Sequence, residues 1–340
     1  MPANLTPQYH AAEQVFREAK TTEEKIAGLE EMLRLIPKHK GSEKLQADLK
    51  RRLSKLRHEE QKTAGGKRAG HRIPRQGAGQ VPLVGAPNVG KSALLCALTQ
   101  ARSEVAPYPM TTFTPTPGMM PFEDVQIQLI DLPPLLADHV ESWVFELIRP
   151  ADLLLLLVDL TAVDPLQQVD GVCEQLAGKR IAVYGAPACG GTGNGPEGIG
   201  EAPPGGVAKP TLLVGTKLDG AKADDNADFL REYYAGRFPF VAVTIADAPT
   251  LESFRRTVFT ALRVLRVYTK APGRKEERGV PYVLPQGSTV WEVANLVHKE
   301  VAASLKYARI WGARAYDGQR VTRDYVVQDG DLIELHVGGA

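Results

Sequence analysis

The sequence predicts an α/β protein in which a mostly parallel sheet, covered by helices on both faces, is preceded by a helical arm and followed by a small α+β module. Between residues 81 and 272, short apolar runs alternate with helical stretches, a rhythm typical of βαβ units. Residues 1–61 instead show apolar residues at helical spacing. Strand and helix signals return on a smaller scale over residues 277–340.

The arm is expected to form three helices, of which the second and third make a hairpin. Each of these two has an apolar stripe at helical spacing: Ile26, Leu29, Leu33 and Ile36 in one, and Leu45, Leu49, Leu53 and Leu56 in the other. Only residues 37–41 separate them, and so short a connection favours antiparallel packing. The Gly-rich residues 62–80 lack periodicity and predict a flexible linker.

Positive charge is concentrated in the arm and the linker. Residues 38–75 hold 13 basic and 4 acidic residues, a net of +9 in a chain whose total is +1. The rest of the chain is therefore acidic overall, and this asymmetry favours an anionic partner for the arm. The alternative is a solvated helix face next to a disordered linker.

Composition indicates the broad class. Hydrophobic residues make up 43% and charged residues 24%, as in ordinary globular proteins. No apolar run approaches the roughly 18 residues of a membrane span, and the first residues lack the pattern of a signal peptide. The three cysteines have no metal-ligand spacing, which indicates reduced thiols. We therefore expect a cytoplasmic protein without membrane contact.

The strands of the predicted sheet come from five apolar segments: residues 81–84, 125–129, 153–158, 211–214 and 240–243. A helix is expected over residues 252–267. The Gly- and Pro-rich residues 185–209 predict a mobile surface loop, because this segment has little apolar surface to bury. In the C-terminal module, Thr289 and Glu292 predict a capping box for a helix reaching about Ser304, and strands are expected over residues 280–284 and 332–337.

A phosphate-binding loop is the clearest motif. The pattern Gly-x-x-x-x-Gly-Lys-Ser is met by consecutive residues between a predicted strand and a predicted helix: Gly85, Ala86, Pro87, Asn88, Val89, Gly90, Lys91 and Ser92. Such a loop turns backbone N–H groups toward phosphate oxygens, and the helix that continues through Ala93 adds its positive dipole end. Lys91 is expected on the β- and γ-phosphates, and Ser92 on Mg²⁺.

A second motif points to the base. Thr216-Lys217-Leu218-Asp219 follows a predicted strand and fits the guanine-specificity pattern Asn/Thr-Lys-x-Asp. The Asp219 carboxylate can accept from the guanine N1–H and its exocyclic amine, donors that adenine lacks at those places. The stem of Lys217 is expected to cover the base. Further along the chain, Thr244 and Ile245 stand where many GTPases have Ser-Ala.

A third site is expected around Mg²⁺. Asp131 ends a predicted strand, and its carboxylate can hold a metal-bound water. Thr112, or in its place Thr111, is expected to reach the metal from the segment before that strand. The usual Asp-x-x-Gly pattern is broken, because Pro134 has no N–H for the γ-phosphate and Leu135 cannot orient water. Both changes predict slow hydrolysis or an unusual switch.

Together these motifs resemble the Obg-related GTPases, most closely the developmentally regulated GTP-binding proteins. The similar stretches are the loop at 85–92, YPMTTFTP at 108–115, GSTVWEVA at 287–294, KYARIWG at 306–312 and DGQRV at 317–321. The last three are similar to the TGS domain, a ubiquitin-like β-grasp module. Two family features are missing: the Gly-rich stretch after Asp-x-x-Gly, and a helix–strand insert within the GTPase domain. These departures concern the switch rather than nucleotide binding.

The resemblance implies GTP and GDP as ligands, Mg²⁺ as cofactor, and a switch in translation or ribosome biology whose arm and TGS domain contact RNA or a ribosomal partner. It also implies K⁺ beside Asn88, by similarity to potassium-activated GTPases. Lys91, Asn88 and Thr112 are then the expected catalytic residues. A second hypothesis is a nucleotide-binding RNA or ribosome scaffold with little or no hydrolysis, and a third is an ATPase, against which Asp219 argues.

Overall fold

A computed structural model describes residues 22–35, 73–99, 115–137, 140–186, 202–220, 222–273 and 279–338, together with Tyr9, Gln14, Phe16, Leu49, Arg51 and Leu53. The chain divides into two units, residues 1–72 and 73–340, which are treated separately below. Within the described part of the chain, no helix combines the length and the apolar character needed to cross a membrane.

The first unit contains helix α1, Thr22–Leu35. Leu29 and Met32 of α1 are buried together with Tyr9 and Leu49, and this cluster is flanked by other partly buried apolar side chains. Leu29 and Leu49 belong to the two predicted stripes, so the stripes do meet in a small core. The predicted flexible linker lies outside the described residues up to position 72.

The second unit contains twelve strands and seven helices among its described residues. The strands are β1 Gln80–Gly85, β2 Thr116–Phe122, β3 Val125–Asp131, β4 Leu154–Asp159, β5 Ile181–Gly185, β6 Val207–Thr216, β7 Phe240–Ala242, β8 Val264–Lys270, β9 Tyr282–Pro285, β10 Leu305–Gly312, β11 Ala315–Val321 and β12 Asp331–Val337. The helices are α2 Lys91–Leu98, α3 Ser142–Ile148, α4 Pro165–Gly178, α5 Ala223–Tyr233, α6 Ala248–Ala261, α7 Val290–Val297 and α8 Lys299–Ser304.

The larger sheet has the order β2-β3-β1-β4-β6-β5, and β7 pairs with the end of β6. Only the β2–β3 pair is antiparallel. Alternate strand residues face two separate apolar cores. One core packs β1, β3 and β4 against α2 and α6, and the other packs the opposite face against α3, α4 and α5. The predicted α/β class with helices on both faces is confirmed.

The smaller sheet has the order β11-β10-β12-β8-β9. Its inner face packs against α7, where Val290 and Val293 meet Ile310 and Ile333. The predicted capping box is present, since Thr289 and Glu292 exchange hydrogen bonds at the start of α7. The single helix expected to reach Ser304 is wrong: His298, with an extended φ of −167°, ends α7 and caps α8.

The expected helix over residues 252–267 is wrong at its C-terminal end. Helix α6 stops at Ala261, and Arg263 takes a left-handed φ of +52°. The chain then enters β8, in which the buried Leu265 and Val267 lie two residues apart and join the core of the smaller sheet. Because β8 pairs with β9 and β12, the smaller sheet begins before the boundary expected at residues 272–277.

Parts of the expected surface loop at residues 185–209 are ordered strand. Gly185 ends β5 and residues 207–209 begin β6, and the two strands pair in parallel. The pairing supplies backbone hydrogen bonds that the composition alone did not suggest. Residues 187–201 of the expected loop lie outside the described residues.

Arg266 connects the two sheets. Its guanidinium contacts Glu123 and Asp124 in the β2–β3 turn and Asp329 before β12, at 3.0 Å from Asp124 and 2.7 Å from Asp329. The Tyr268 hydroxyl also donates to Asp124. The Arg266 side chain is only 12% exposed, whereas its three partners are 34–46% exposed, so the junction is partly shielded from solvent.

Candidate functional site

The phosphate-binding loop joins β1 to α2 at the C-terminal edge of the larger sheet. Gly85 has no room for a side chain, because a Cβ there would lie 2.7 Å from the Leu157 carbonyl of β4. Asn88 and Gly90 both adopt left-handed conformations, with φ of +59° and +91°. These positions curl the backbone ahead of α2, as the motif requires. Pro87 and Asn88 are exposed, and Val89 is buried.

Lys91 reaches back across this loop. Its ammonium group donates to the Ala86 carbonyl at 2.9 Å, and the residue is only 7% exposed. Burial lowers the pKa of Lys91, while the nearby Asp131 carboxylate acts in the opposite direction. A cation held inside the loop by a backbone carbonyl is placed to exchange that contact for a phosphate oxygen.

Ser92 and Asp131 meet beside Lys91. The Ser92 hydroxyl donates to one carboxylate oxygen of Asp131. The other oxygen, Oδ1, is buried and has no hydrogen-bond partner among the described residues. Burial raises the pKa of Asp131, opposed by the Ser92 hydrogen bond and by Lys91. A hydroxyl and an unsatisfied carboxylate oxygen are hard ligands of the kind that Mg²⁺ uses, so these residues fit the metal.

The segment after Asp131 is folded into the protein. Leu135 is fully buried in the core beside Ile130 and Val144. Its backbone N–H donates to the Gly85 carbonyl at 3.1 Å. The position where many GTPases carry a glutamine therefore holds an apolar side chain that points into the core and whose N–H is already used.

Thr216 supports the loop from the neighbouring strand. Its buried hydroxyl lies 2.6 Å from the Val89 carbonyl and 3.1 Å from the Val158 carbonyl. This contact fixes the loop to β4 and β6. Thr216, expected among the nucleotide-binding residues, thus has its hydroxyl directed at the protein backbone.

Lys217 and Asp219 extend the site beyond β6. Lys217 has a left-handed φ of +59° and pairs with the Asp159 carboxylate. Asp219 is exposed and accepts from the Thr244 hydroxyl at 3.3 Å. The same hydroxyl accepts from the Ala246 N–H at 3.3 Å. The expected partners Asp219 and Thr244 are therefore brought together, while the Ile245 side chain next to them is 55% exposed.

Asp159 is a site residue that the sequence analysis missed. It ends β4 and accepts from both the N–H and the hydroxyl of Thr161, at 2.9 and 2.6 Å. Burial raises the pKa of Asp159, but the hydrogen bonds from Lys217 and Thr161 outweigh it, and the pKa is lowered overall. The signal available in the sequence was a carboxylate at the end of a strongly apolar run.

Some expected residues cannot be placed. Thr111 and Thr112 lie outside the described residues. Ala93 is exposed in the first turn of α2. The structure otherwise gathers Lys91, Ser92 and Asp131 in one cluster and Lys217, Asp219 and Thr244 in another, with Thr216 linking the loop to β6.

Comparison with known families divides the second unit into two parts. The sequence model of the family described as 50S ribosome-binding GTPase matches residues 80–185. The TGS domain model matches residues 265–337. The second match begins within β8, in agreement with the sheet to which this strand belongs.

Similar proteins cover nearly the whole chain. An uncharacterized GTP-binding protein of Methanocaldococcus jannaschii is 27% identical over 92% of this chain and 92% of its own. The mouse developmentally-regulated GTP-binding protein 2 is 25% identical over 92% of this chain and 98% of its own. Among solved structures, the YchF GTPase of Schizosaccharomyces pombe is 12% identical, covers 77% of this chain and 99% of its own, and has a TM-score of 0.50. This last likeness supports the fold.

Proposed function

We propose that this homologue of the developmentally regulated GTP-binding proteins, with its GTPase and TGS domains, is a nucleotide-dependent switch in translation or ribosome biology. It is a GTP-binding protein of the P-loop GTPase class. The observation that carries nucleotide binding is the cluster of buried Lys91, buried Asp131 and half-buried Ser92, in which Asp131 Oδ1 has no hydrogen-bond partner among the described residues. Such a cluster is costly to bury unless a ligand completes it.

Nucleotide binding would use this cluster as follows. The backbone N–H groups of residues 85–93 other than Pro87, which include the start of α2, would surround the phosphates. Lys91 would exchange the Ala86 carbonyl for phosphate oxygens. Ser92, Asp131 and Thr112 would hold Mg²⁺, directly or through water. When bound, the metal neutralises phosphate charge.

Guanine selection would rest on the second cluster. Asp219 accepts a weak hydrogen bond from Thr244, at 3.3 Å, and is exposed, so its oxygens are available to a base. Lys217, fixed by Asp159, would pack its stem over that base. Thr244 and the backbone near Ile245 would close the other side. An ATPase is disfavoured because adenine offers Asp219 no donors.

Hydrolysis is proposed to be slow. Leu135 is buried and Pro134 has no N–H, so the usual water-orienting side chain and one γ-phosphate donor are missing. We propose that K⁺ beside Asn88 compensates in part for these missing groups, because it supplies positive charge beside the γ-phosphate. Single-turnover GTP hydrolysis measured with K⁺ and with Na⁺ tests this point.

A nucleotide-binding scaffold is the second candidate. The same burial of Leu135 and the bond of its N–H to the Gly85 carbonyl favour it, because they hold the segment after Asp131 against the loop. The two candidates differ in one measurement. GTP turnover in a single-turnover assay supports the switch, whereas tight GTP binding without turnover supports the scaffold.

The proposed partner is the ribosome or its RNA, in the cytoplasm. The basic residues 38–75 carry a net charge of +9, which suits phosphate neutralisation, and the TGS domain would provide a second contact. Co-sedimentation with ribosomal particles in the presence of GTP or GDP tests the partner. If the protein is a switch, its binding to ribosomal particles should differ between GTP and GDP.

A further inference from the structure

The exposed face of the smaller sheet carries two arginines in direct opposition. Arg309 of β10 pairs in register with Arg320 of β11, and both residues are exposed. Directly opposed residues in an antiparallel pair bring their Cβ atoms within about 5.5 Å, and like charges there destabilise the sheet. An anion bound between them would remove this repulsion.

The carboxylate directly opposite Arg309 does not neutralise the arginines, and Asp317 and Asp329 lie near Trp311 at the end of the face. Glu334 lies opposite Arg309 in the pairing of β10 with β12. Its side chain is only 7% exposed and contacts Lys270 at 3.4 Å and His336 at 2.6 Å. Two other basic groups thus occupy Glu334, and the positive charge of the arginine pair faces solvent.

Aromatic stacking fixes Arg320 in place. Its guanidinium carbon lies 3.9 Å from the centroid of the Tyr307 ring. Tyr307 in turn stacks on the His336 imidazole, at 4.4 Å between centroids and 11° between planes. A guanidinium held over a ring can still offer N–H groups to a phosphate, and it loses less rotamer freedom on binding. Trp311 adds a further aromatic side chain, with Lys270 3.7 Å from its ring centroid.

We propose that this face, defined by Tyr307, Arg309, Trp311, Arg320 and His336, binds the phosphate backbone of single-stranded RNA. A sheet face with interleaved planar and basic side chains matches the chemistry of single strands, whose phosphates and unstacked bases are both accessible. The face lies opposite α7, because Ala308 and Ile310, which alternate with these β10 residues, belong to the core on the other side. The inference rests on the proposed ribosome or RNA function and deepens it by locating the contact.

The test substitutes Arg309→Glu in the full chain. The new carboxylate would face Arg320 on β11 and Glu334 on β12, so one repulsion is replaced by an attraction while a new repulsion arises. The two changes oppose each other, and the thermal midpoint should stay close to that of the wild type. RNA binding is measured by fluorescence anisotropy with a labelled 12-nucleotide poly(U) strand over a salt series. We expect affinity to fall at least tenfold and the slope of log affinity against log salt to become shallower by about 1.4, because one cation is lost and a second is neutralised.

Arg323→Glu is the matched control. Arg323 is exposed in the same module but lies by the start of α7, where its carbonyl accepts from the Trp291 N–H. An equal loss of RNA affinity in both variants would overturn the proposal, because module charge alone would then explain binding. If Arg309→Glu binds poly(U) as tightly as the wild type does, the proposal is also overturned, and the RNA contact lies elsewhere on the protein. Loss of ribosome co-sedimentation without loss of poly(U) binding would assign the face to an acidic protein and overturn it too.

Failure of the underlying function looks different. If the wild-type protein binds neither poly(U) nor ribosomal particles, the proposed RNA or ribosome role fails, whatever the variants do. Nucleotide affinity serves as an internal check, because Arg309 and Arg323 belong to the module of the smaller sheet, whereas the described residues proposed for the nucleotide lie in the part with the larger sheet. Both variants should therefore bind GTP as the wild type does.

Discussion

The Lys217 ammonium pairs with the Asp159 carboxylate across neighbouring strand ends. The pair arises from the sheet register, since Asp159 lies opposite Thr216, the residue before Lys217. Thr161 holds Asp159 through two hydrogen bonds. A Cβ on Gly220 would lie 2.2 Å from the Thr161 side chain, so the loop at residues 216–220, which we propose selects guanine, packs closely on this support.

Asp159→Asn should weaken GTP binding by roughly three- to tenfold, equivalent to about 1 kcal/mol. The amide keeps the shape but loses the charge that fixes Lys217. The effect is modest because the Lys217 side chain is 42% exposed and solvent screens the pair. Equilibrium titration with a fluorescent GTP analogue measures it.

The control for this substitution is Asp228→Asn on α5. Asp228 also pairs with a basic residue, Arg231, but on an exposed helix face. The affinity of the Asp228→Asn variant for GTP should equal that of the wild type. Equal affinities in all three proteins would show that Asp159 does not position Lys217.

The difference between local and long-range information explains what the sequence could predict. The loop at residues 85–92 and Asp219 could be proposed from the sequence because their motifs are contiguous and their flanking strand signals are strong. Asp159 was missed because its role depends on β4 and β6 being neighbours, a fact of sheet order. Arg266 was missed for the same reason: its three carboxylate partners come from the β2–β3 turn and from residue 329. Local periodicity does not report such pairings.

Base choice gives the second prediction. Asp219→Asn should lower GTP affinity on the order of a hundredfold, because a charged acceptor of two hydrogen bonds is lost. The amide can instead donate to the xanthine carbonyl, so affinity for XTP should rise. Competition titrations with GTP, XTP and ATP measure both changes. Unchanged preference for GTP over XTP would remove Asp219 from the base site.

The junction at Arg266 gives the third prediction. Arg266→Met should lower the free energy of unfolding by about 2–3 kcal/mol, because the substitution leaves carboxylates at a partly shielded contact without their cation. Arg256→Met is the matched control: Arg256 lies 4.0 Å from the same Glu123 but is 69% exposed, so its loss should cost little. Urea unfolding measures the free energy of unfolding of both variants. Equal values would contradict a stabilising role for Arg266 at this junction.

The same junction has a pH signature. The pKa of Asp124 is lowered, since the hydrogen bonds from Tyr268 and Arg266 outweigh the effect of burial. A carboxyl with a depressed folded-state pKa stabilises the fold above its unfolded pKa of about 3.9 and loses that contribution as pH falls. The wild-type protein should therefore lose stability below about pH 4 more steeply than Arg266→Met does. If the free energies of unfolding of the two proteins fall equally as the pH is lowered, the assignment of this effect to the Arg266–Asp124 contact is wrong.

Salt dependence gives the fourth prediction. If the basic residues 38–75 contact RNA, ribosome binding should fall steeply with salt, and removing residues 1–72 should flatten the slope. Truncation after residue 72 keeps Arg75, which pairs with Asp152 in the second unit. Ribosome co-sedimentation across a KCl series measures the slope. An unchanged slope after truncation would move the contact to the TGS domain.

The fifth prediction concerns potassium, and the geometry of Asn88 shapes it. Asn88 is exposed at the tip of the phosphate-binding loop and has a left-handed φ of +59°. Asparagine, aspartate and glycine tolerate this conformation, but alanine there costs about 1 kcal/mol. The informative variants are therefore Asn88→Asp, which keeps an oxygen near the ion, and Asn88→Gly, which removes the side chain without straining the loop.

Hydrolysis should be slow in Na⁺ and faster in K⁺, because the ion adds positive charge where the transition state develops negative charge. The need for this positive charge is greater here, since Leu135 is buried and its N–H is bonded to the Gly85 carbonyl. Asn88→Gly should lose most of the K⁺ stimulation, and Asn88→Asp should retain part of it. Single-turnover assays at fixed ionic strength, with K⁺ replaced by Na⁺, give the comparison. Equal, measurable rates in the two salts would exclude a role for K⁺, whereas no turnover in either salt would favour the scaffold.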